Sequence, residues 1–258
     1  MNIVGIIPSR MASTRFPSKP LAKIDGIPMV GHVYYRSKMS QMLDEVYIAT
    51  CDNEIIQYAE RIGAKAVGTM DTHERASDRT AEAMIKIEHE INKTVDIVVM
   101  IQGDEPMIVP EMVDMAVGPL INDTGVLVSN LMAPLHNRDE HADSNEVKVV
   151  VDKNSYALYF SREPIPSWKM GAKEVPMNKQ ICIIPFRREF LIKFNELSQT
   201  SLEKAESIDM LRVLEHGYDV KMVSTNYKTY SVDTIDDLHR VENLMENDSL
   251  IREYKMRI

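Results

Sequence analysis

The run Ile7-Pro8-Ser9-Arg10-Met11-Ala12-Ser13-Thr14-Arg15-Phe16-Pro17-Ser18-Lys19-Pro20-Leu21 places three cations among serine and threonine hydroxyls. Arg and Lys neutralise phosphate charge, and hydroxyls and loop amides add hydrogen bonds to it. A solvated basic surface loop has the same composition. The run contains neither G-x-x-x-x-G-K-[ST] nor G-x-G-x-x-G, which argues against P-loop NTPases and nicotinamide dehydrogenases.

Gln102-Gly103-Asp104-Glu105-Pro106 follows the apolar run 96–101. A carboxylate beside a glycine at the end of such a strand suits Mg²⁺, a hard ion that takes one or two carboxylates plus substrate phosphates. The same residues also suit an Asx turn, or a cap for the helical pattern over 110–120. In Val232-Asp233-Thr234-Ile235-Asp236-Asp237, Thr234 or Asp233 fits a helix cap. Asp233 acquires a chemical role only opposite Asp104. Cations for a triphosphate and two carboxylates for Mg²⁺ are the parts of a nucleotidyl transfer, a reaction that depends mainly on positioning and charge stabilisation.

These stretches need a scaffold, and the hydrophobic pattern supplies one. Strand patterns at 2–7, 45–50, 65–68 and 96–101 alternate with helical patterns at 28–41, 53–63 and 77–91. That is the rhythm of a parallel sheet covered by helices on both faces. Ligands of such sheets sit beyond the carboxyl ends of the strands, where both the basic run and Asp104 fall. From about 125 the rhythm becomes strand-rich, with candidates at 125–133, 146–151, 156–160 and 180–186, few helices between them, and a Pro-rich loop over 163–178. This reads as an antiparallel insertion spanning 125–190 within a single domain of 1–258. A helix over 202–216, a strand over 219–225 and a helix over 234–246 close the pattern, and the tail EYKMRI is assigned no role.

Composition narrows the function. With 30 Lys plus Arg against 39 Asp plus Glu, the chain carries a formal charge of −9, which disfavours generic nucleic-acid or membrane-surface binding. Hydrophobic residues at 44% are ordinary for a globular domain. No apolar run spans a bilayer, and the amino-terminal residues do not read as a signal peptide. Cys51 and Cys182 give neither a zinc pattern nor a disulfide framework, which fits a reducing cytoplasm. His32, His73, His136 and His141 show no paired metal spacing and read as surface or packing residues.

The basic run, IATCD at 48–52, QGDEP at 102–106, NEVKVVVD at 145–152, YALYFSREPIP at 156–166, LRVLEHG at 211–217 and SVDTIDDL at 231–238 together carry a resemblance that runs nearly end to end. The chain resembles the CMP-Kdo synthetases, the 3-deoxy-manno-octulosonate cytidylyltransferases. The resemblance implies a Rossmann-like, three-layer αβα nucleotidyltransferase fold of the glycosyltransferase-A type, with the insertion serving dimerisation. It implies condensation of CTP with a 2-keto-3-deoxy sugar acid, release of pyrophosphate, a homodimer, and a role in surface polysaccharide synthesis. On this chain, Arg10, Arg15 and Lys19 would hold the triphosphate, Ser13 would add a hydrogen bond, and Arg79 would lie near the nucleotide. Asp104 and Asp233 would hold Mg²⁺. Gln102 would touch the sugar, Arg162 would pair with its carboxylate, and Gln180 and Asp209 occupy further sugar-contacting positions.

Several acceptor positions depart from the family pattern. Gln180 stands where the family has His, Ile184 where it has Tyr, and Asp209-Met210 where it has Glu-Gln. Arg75-Ala76-Ser77-Asp78-Arg79 replaces Ser-Gly-Thr-Glu-Arg. A site that hydrogen-bonds a polyol discriminates through such groups, so an amino or deoxy variant of Kdo, or another 2-keto acid, is an alternative acceptor. A glycosyltransferase of similar fold is the rival enzyme class, but it prefers Asp-x-Asp where this chain has Gly-Asp-Glu. A non-catalytic nucleotide-binding protein is the third reading.

Overall fold

The computed structural model describes residues 1–12, 16–169, 171 and 174–256, and the chain divides into two compact units. The first comprises Met1–Asp114 and Lys228–Ile258, the second Met115–Tyr227. In the first unit β1 (Ile3–Pro8) leads through a 3₁₀ turn (Lys19–Leu21) to the short strands β2 (Lys23–Ile24) and β3 (Ile27–Pro28), then to α1 (Met29–Lys38). There follow β4 (Glu45–Thr50), α2 (Asn53–Arg61), β5 (Lys65–Gly68), α3 (Ala76–Ile91) and β6 (Ile97–Ile101), and α4 (Pro110–Asn122) carries the chain onward.

Strands β6, β1, β4 and β5 lie side by side in that order, all parallel. The edge strand β5 is exposed at Lys65 and Gly68, whereas β1, β4 and β6 are nearly solid Val, Ile, Tyr or Ala and β6 is buried at every residue. That is the composition of a strand covered on both sides. The chain steps outward from β1 to β4 to β5, then returns across the sheet through α3 to place β6 on the other side of β1. With right-handed crossovers, α3 takes the face opposite α1 and α2. The reversal between β1 and β6 is the topological switch point, where a crevice opens beyond the strands' carboxyl ends.

The second unit holds β7 (Ser129–Pro134), α5 (Arg138–Ala142), β8 (Lys148–Val151), β9 (Ala157–Ser161), β10 (Asn178–Ile181), β11 (Ile183–Arg187), α6 (Arg188–Glu196), α7 (Ser201–Glu206), α8 (Met210–Glu215) and β12 (Lys221–Ser224). Its sheet runs β12-β7-β10-β8-β9, antiparallel except for the β12–β7 pair. Two readings of this region need correction. The apolar run 180–186 is two strands separated at Cys182. The helix expected over 202–216 is two helices, because Ser207 turns left-handed at φ 54° and ends α7. Within 125–186 the described residues hold one short helix, α5, as expected, whereas α6 follows β11 where no helix was marked.

The chain then returns to the first unit for α9 (Ile235–Met245) and α10 (Ser249–Lys255). Leu238, Val241, Met245, Ile251 and Tyr254 of these helices pack with Ile24, Ile27, Met29 and Val232 in one buried cluster. A relay of polar contacts locks α10 onto α1. Arg36 meets Asp248 at 2.5 Å and donates to the Tyr254 hydroxyl at 3.4 Å. Tyr254 in turn lies 2.6 Å from His32 Nδ1. His32 Nε2 lies 2.8 Å from the Ile24 carbonyl, which can only accept, so Nε2 carries the hydrogen and the neutral ring accepts at Nδ1. Tyr254, within the tail EYKMRI, therefore has a structural role. Among the described residues no helix is long and apolar enough to cross a membrane.

Burial pushes His32 from an ordinary 6.5 down to about 4. The unfolded chain therefore binds this proton more readily, and stability falls as pH drops from about 6.5 towards 4, by up to roughly 3 kcal/mol. His32→Gln should flatten the melting temperature profile across that window relative to the parent protein. Parallel profiles would contradict the assignment.

Candidate active site

The switch-point crevice is a cavity of about 360 Å³ in the first unit. The basic run after β1 enters it through Ser9, Arg10 and Lys19, and the segment after β6 through Gln102, Gly103 and Asp104. His73, Arg75 and Arg79, between β5 and the first turns of α3, complete the wall with Asp233.

Lys19 is the meeting point. Its Nζ donates to Asp104 Oδ2 at 2.9 Å and to Asp233 Oδ1 at 3.1 Å. All three side chains are largely buried, at 14%, 24% and 18% exposure. Burial works against the ammonium charge, but the two carboxylates outweigh it and raise Lys19 above the ordinary lysine value. Backbone contacts enforce this convergence. Val232 is wholly buried, and its N–H donates to the Asp104 carbonyl at 2.9 Å. Thr229 Oγ1 donates to Glu105 at 3.1 Å in the same seam. The next residue, Asp233, thus emerges beside Asp104. Thr234 and Asp237 form the capping box of α9, so Thr234 takes the capping duty that the sequence left open between it and Asp233.

The start of the basic run is pinned by Asp52, whose carboxylate accepts from Met11 N at 2.7 Å. Arg10 is exposed, and its Nη1 donates to the His73 carbonyl at 3.4 Å. Ser13 and Arg15 lie outside the described residues. Arg79 is 3% exposed and donates from Nη1 to Thr69 Oγ1, while its buried Nη2 has no partner among the described residues. Ser9 Oγ is likewise buried and unpartnered. Two buried donors without acceptors in the wall of a cavity are suited to a ligand rich in acceptor oxygens. Gly103 keeps this arrangement open, because a Cβ there would lie 2.9 Å from Ser9 Oγ.

Sequence reasoning passed over Ser9 and treated His73 as a surface or packing residue, yet both line the cavity. Ser9 sat within the quoted run. His73 carried no motif that would have singled it out. Its Nε2 meets Glu82 Oε2 at 2.5 Å. Glu82 also accepts from Met70 N at 2.9 Å and pairs with Lys86 at 2.7 Å. Partial burial opposes the Glu82 charge, but the bonds from Lys86, Met70 and His73 prevail and hold it down at about 2.

Arg162, Gln180 and Asp209 belong to the second unit. Arg162 Nε donates to the Glu206 carbonyl and Nη1 to the Ser144 carbonyl, at 2.8 and 2.9 Å. Gln180 Nε2 donates to Asn130 Oδ1 at 2.5 Å, and Asp209 is the residue preceding α8. Ile184 and Met210, the apolar replacements, are both buried.

A doubly wound parallel sheet with cations and paired carboxylates at its switch point is the layout of a nucleotide-handling α/β enzyme. The family described as Cytidylyltransferase matches residues 4–244. The 3-deoxy-manno-octulosonate cytidylyltransferase of Geotalea daltonii is 40% identical over 251 residues, covering 93% of this chain and 97% of its own. That of Thermodesulfovibrio yellowstonii is 39% identical over 256 residues, 96% of this chain and 100% of its own. The solved structure of CMP:2-keto-3-deoxy-manno-octonic acid synthetase complexed with CTP superimposes with a TM-score of 0.88 at 36% identity, covering 95% of this chain and 98% of that one. The chain belongs to the cytidylyltransferase family.

Gly103→Ala should leave the fold intact but weaken nucleotide binding about tenfold, by displacing the Ser9 hydroxyl. Isothermal titration with CTP checks this. Unchanged affinity would show that Ser9 does not face the ligand.

Proposed function

We propose that this chain condenses CTP with 3-deoxy-manno-octulosonate, or a close 2-keto-3-deoxy analogue, to give the CMP-sugar and pyrophosphate. The observation that carries the reading is the convergence of Asp104 and Asp233 on Lys19, in a chain whose relatives bear that activity in their names. Two carboxylates that share one ammonium form a hard-oxygen pair suited to Mg²⁺. Among the described residues no group of three His, Cys, Asp or Glu offers a complete protein cage. That fits an ion completed by phosphate and water. When bound, Mg²⁺ would neutralise charge at the α-phosphate and the leaving pyrophosphate.

The protein's own groups supply the rest. Arg10, Arg15 and Lys19 hold the triphosphate, with Ser13 adding a hydrogen bond, and Arg79 offers its free Nη2 to the nucleotide. The anomeric hydroxyl of the acid attacks the α-phosphorus. The new P–O bond forms as the α–β bridge breaks, the hydroxyl proton passes to solvent water, and pyrophosphate departs with the bridging oxygen. Arg162 pairs with the acid's carboxylate, and its two carbonyl contacts favour a fixed orientation. Gln102, Gln180 and Asp209 contact the polyol. The apolar Ile184 and Met210 favour an acceptor with fewer hydroxyl contacts than Kdo makes elsewhere in the family. A cytoplasmic homodimer serving lipopolysaccharide synthesis is part of the same proposal. Leu158, 62% exposed on edge strand β9, supports a subunit contact through the 125–190 insertion.

Pyrophosphate release from CTP, Mg²⁺ and a panel of 2-keto sugar acids tests the reading, and Kdo or a near analogue should be the substrate. Sugar transfer from a nucleotide sugar instead would mean a glycosyltransferase. CTP binding with no turnover on any acid would mean a non-catalytic protein. Asp104→Asn should lower kcat at least about 100-fold, and near-parental turnover would remove Asp104 from the metal site. Arg162→Ala should raise the KM for the acid far more than that for CTP, whereas equal effects would exclude a carboxylate clamp.

A further inference from the structure

The wall of the cavity has two chemically different ends, and the sheet order separates them. Asp104 follows β6, whereas His73 and Arg79 follow β5, three strands away across β1 and β4. At ~4.8 Å per strand those steps span about 14 Å along the carboxyl edge. A nucleotide whose phosphates lie at the Asp104–Lys19–Asp233 end therefore directs its base towards the β5 end.

Among the lining residues of that end, which also include Glu74 and Arg75, two side chains have an unused hydrogen-bonding atom among the described residues. Arg79 lines the cavity, and its Nη2 is buried and unpartnered among the described residues. His73 also lines the cavity, and its ring Nε2 meets Glu82. An ionised carboxylate can only accept, so Glu82 fixes the ring hydrogen on Nε2 and leaves Nδ1 of the neutral ring as an acceptor. Nδ1 makes no hydrogen bond within the described residues. Cytosine offers a ring carbonyl for a donor and an exocyclic amino group for an acceptor, whereas uracil carries a second carbonyl in place of the amino group.

We infer that His73, oriented by Glu82, is the specificity residue that accepts from the amino group of cytosine and so selects CTP over UTP, while Arg79 serves the ring carbonyl. The inference rests on the cytidylyl-transfer reading for the placement of the phosphates. UTP would set its carbonyl against the His73 lone pair, an unpaired polar contact in a half-closed site. Glu82 is a positioning residue here, since it reaches the nucleotide only through the ring it orients.

Binding of CTP and of UTP, measured separately by isothermal titration at pH 8 without an acid acceptor, tests the assignment. The parent protein should prefer CTP. His73→Phe, which keeps an aromatic ring but cannot accept, should weaken CTP binding at least roughly tenfold and leave UTP binding nearly unchanged. His73→Gln, whose amide oxygen can accept, should recover part of the preference. Glu82→Gln, which releases the tautomer, should reduce it without abolishing binding. Equal losses for both nucleotides, or a parent protein indifferent to the base, would overturn the assignment. If His73→Phe does not fold, the same ratio is read from His73→Gln and Glu82→Gln. A ratio unchanged in both variants overturns the assignment, and a reduced ratio in either supports it. The readout is separate from turnover: a CTP preference that depends on His73 but yields no pyrophosphate with any acid would sink the proposed reaction and leave the base assignment standing.

Discussion

Two carboxylates and one ammonium, brought together from positions 85 and 214 residues apart along the chain, are the constraint around which the first unit is arranged. Asp104 and Asp233 side by side would repel each other, and a largely buried setting weakens the solvent screening that normally relieves such pairs. Lys19 offsets that cost, and its raised pKa expresses the same balance from the other partner. The arrangement is held from behind by backbone: the 232–104 hydrogen bond and the packing of Val232 with α9 and α10 fix the backbone from which Asp233 projects.

Seen this way, the carboxy-terminal helices belong to the site although they contribute no ligand-facing side chain beyond Asp233. The His32–Tyr254–Arg36–Asp248 relay anchors α10 to α1, and α10 with α9 buries the segment from which Asp233 projects. On the opposite side, Asp52 anchors the basic run at Met11. Rigid elements thus position the Asp104–Lys19–Asp233 end of the cavity from two directions, as the proposed reaction, governed by positioning and charge, would require.

Much of this was legible in the residues, for a physical reason. Strands buried on both faces must be continuously apolar, so β1, β4 and β6 declare themselves, and the helices between them carry ordinary amphipathic periods. Punctuation made by residues without turn chemistry was not legible. Ser207 adopts a left-handed conformation that a glycine would have advertised, and Cys182 separates two strands with no Gly or Pro to mark the break. Helix α10 is only seven residues long, and its stability comes from tertiary contacts with α1 rather than from propensity. At the site, the basic run and Asp104 could be suspected from type and place alone. Placing Asp233 beside Asp104 needed the family resemblance, because nothing local separates a residue that reaches Lys19 from a helix cap. Ser9 and His73 matter through burial and partners, which no spacing encodes.

The central physical claim is that Asp104 and Asp233 form one cation site which Lys19 fills in the structure described here. A crystal structure of the protein with CTP and Mg²⁺ addresses it most directly. A single divalent ion contacting both carboxylates, with Lys19 turned to the triphosphate, is the expected result. An ion bound away from one of the two carboxylates, with the Lys19 contacts unchanged, would contradict it.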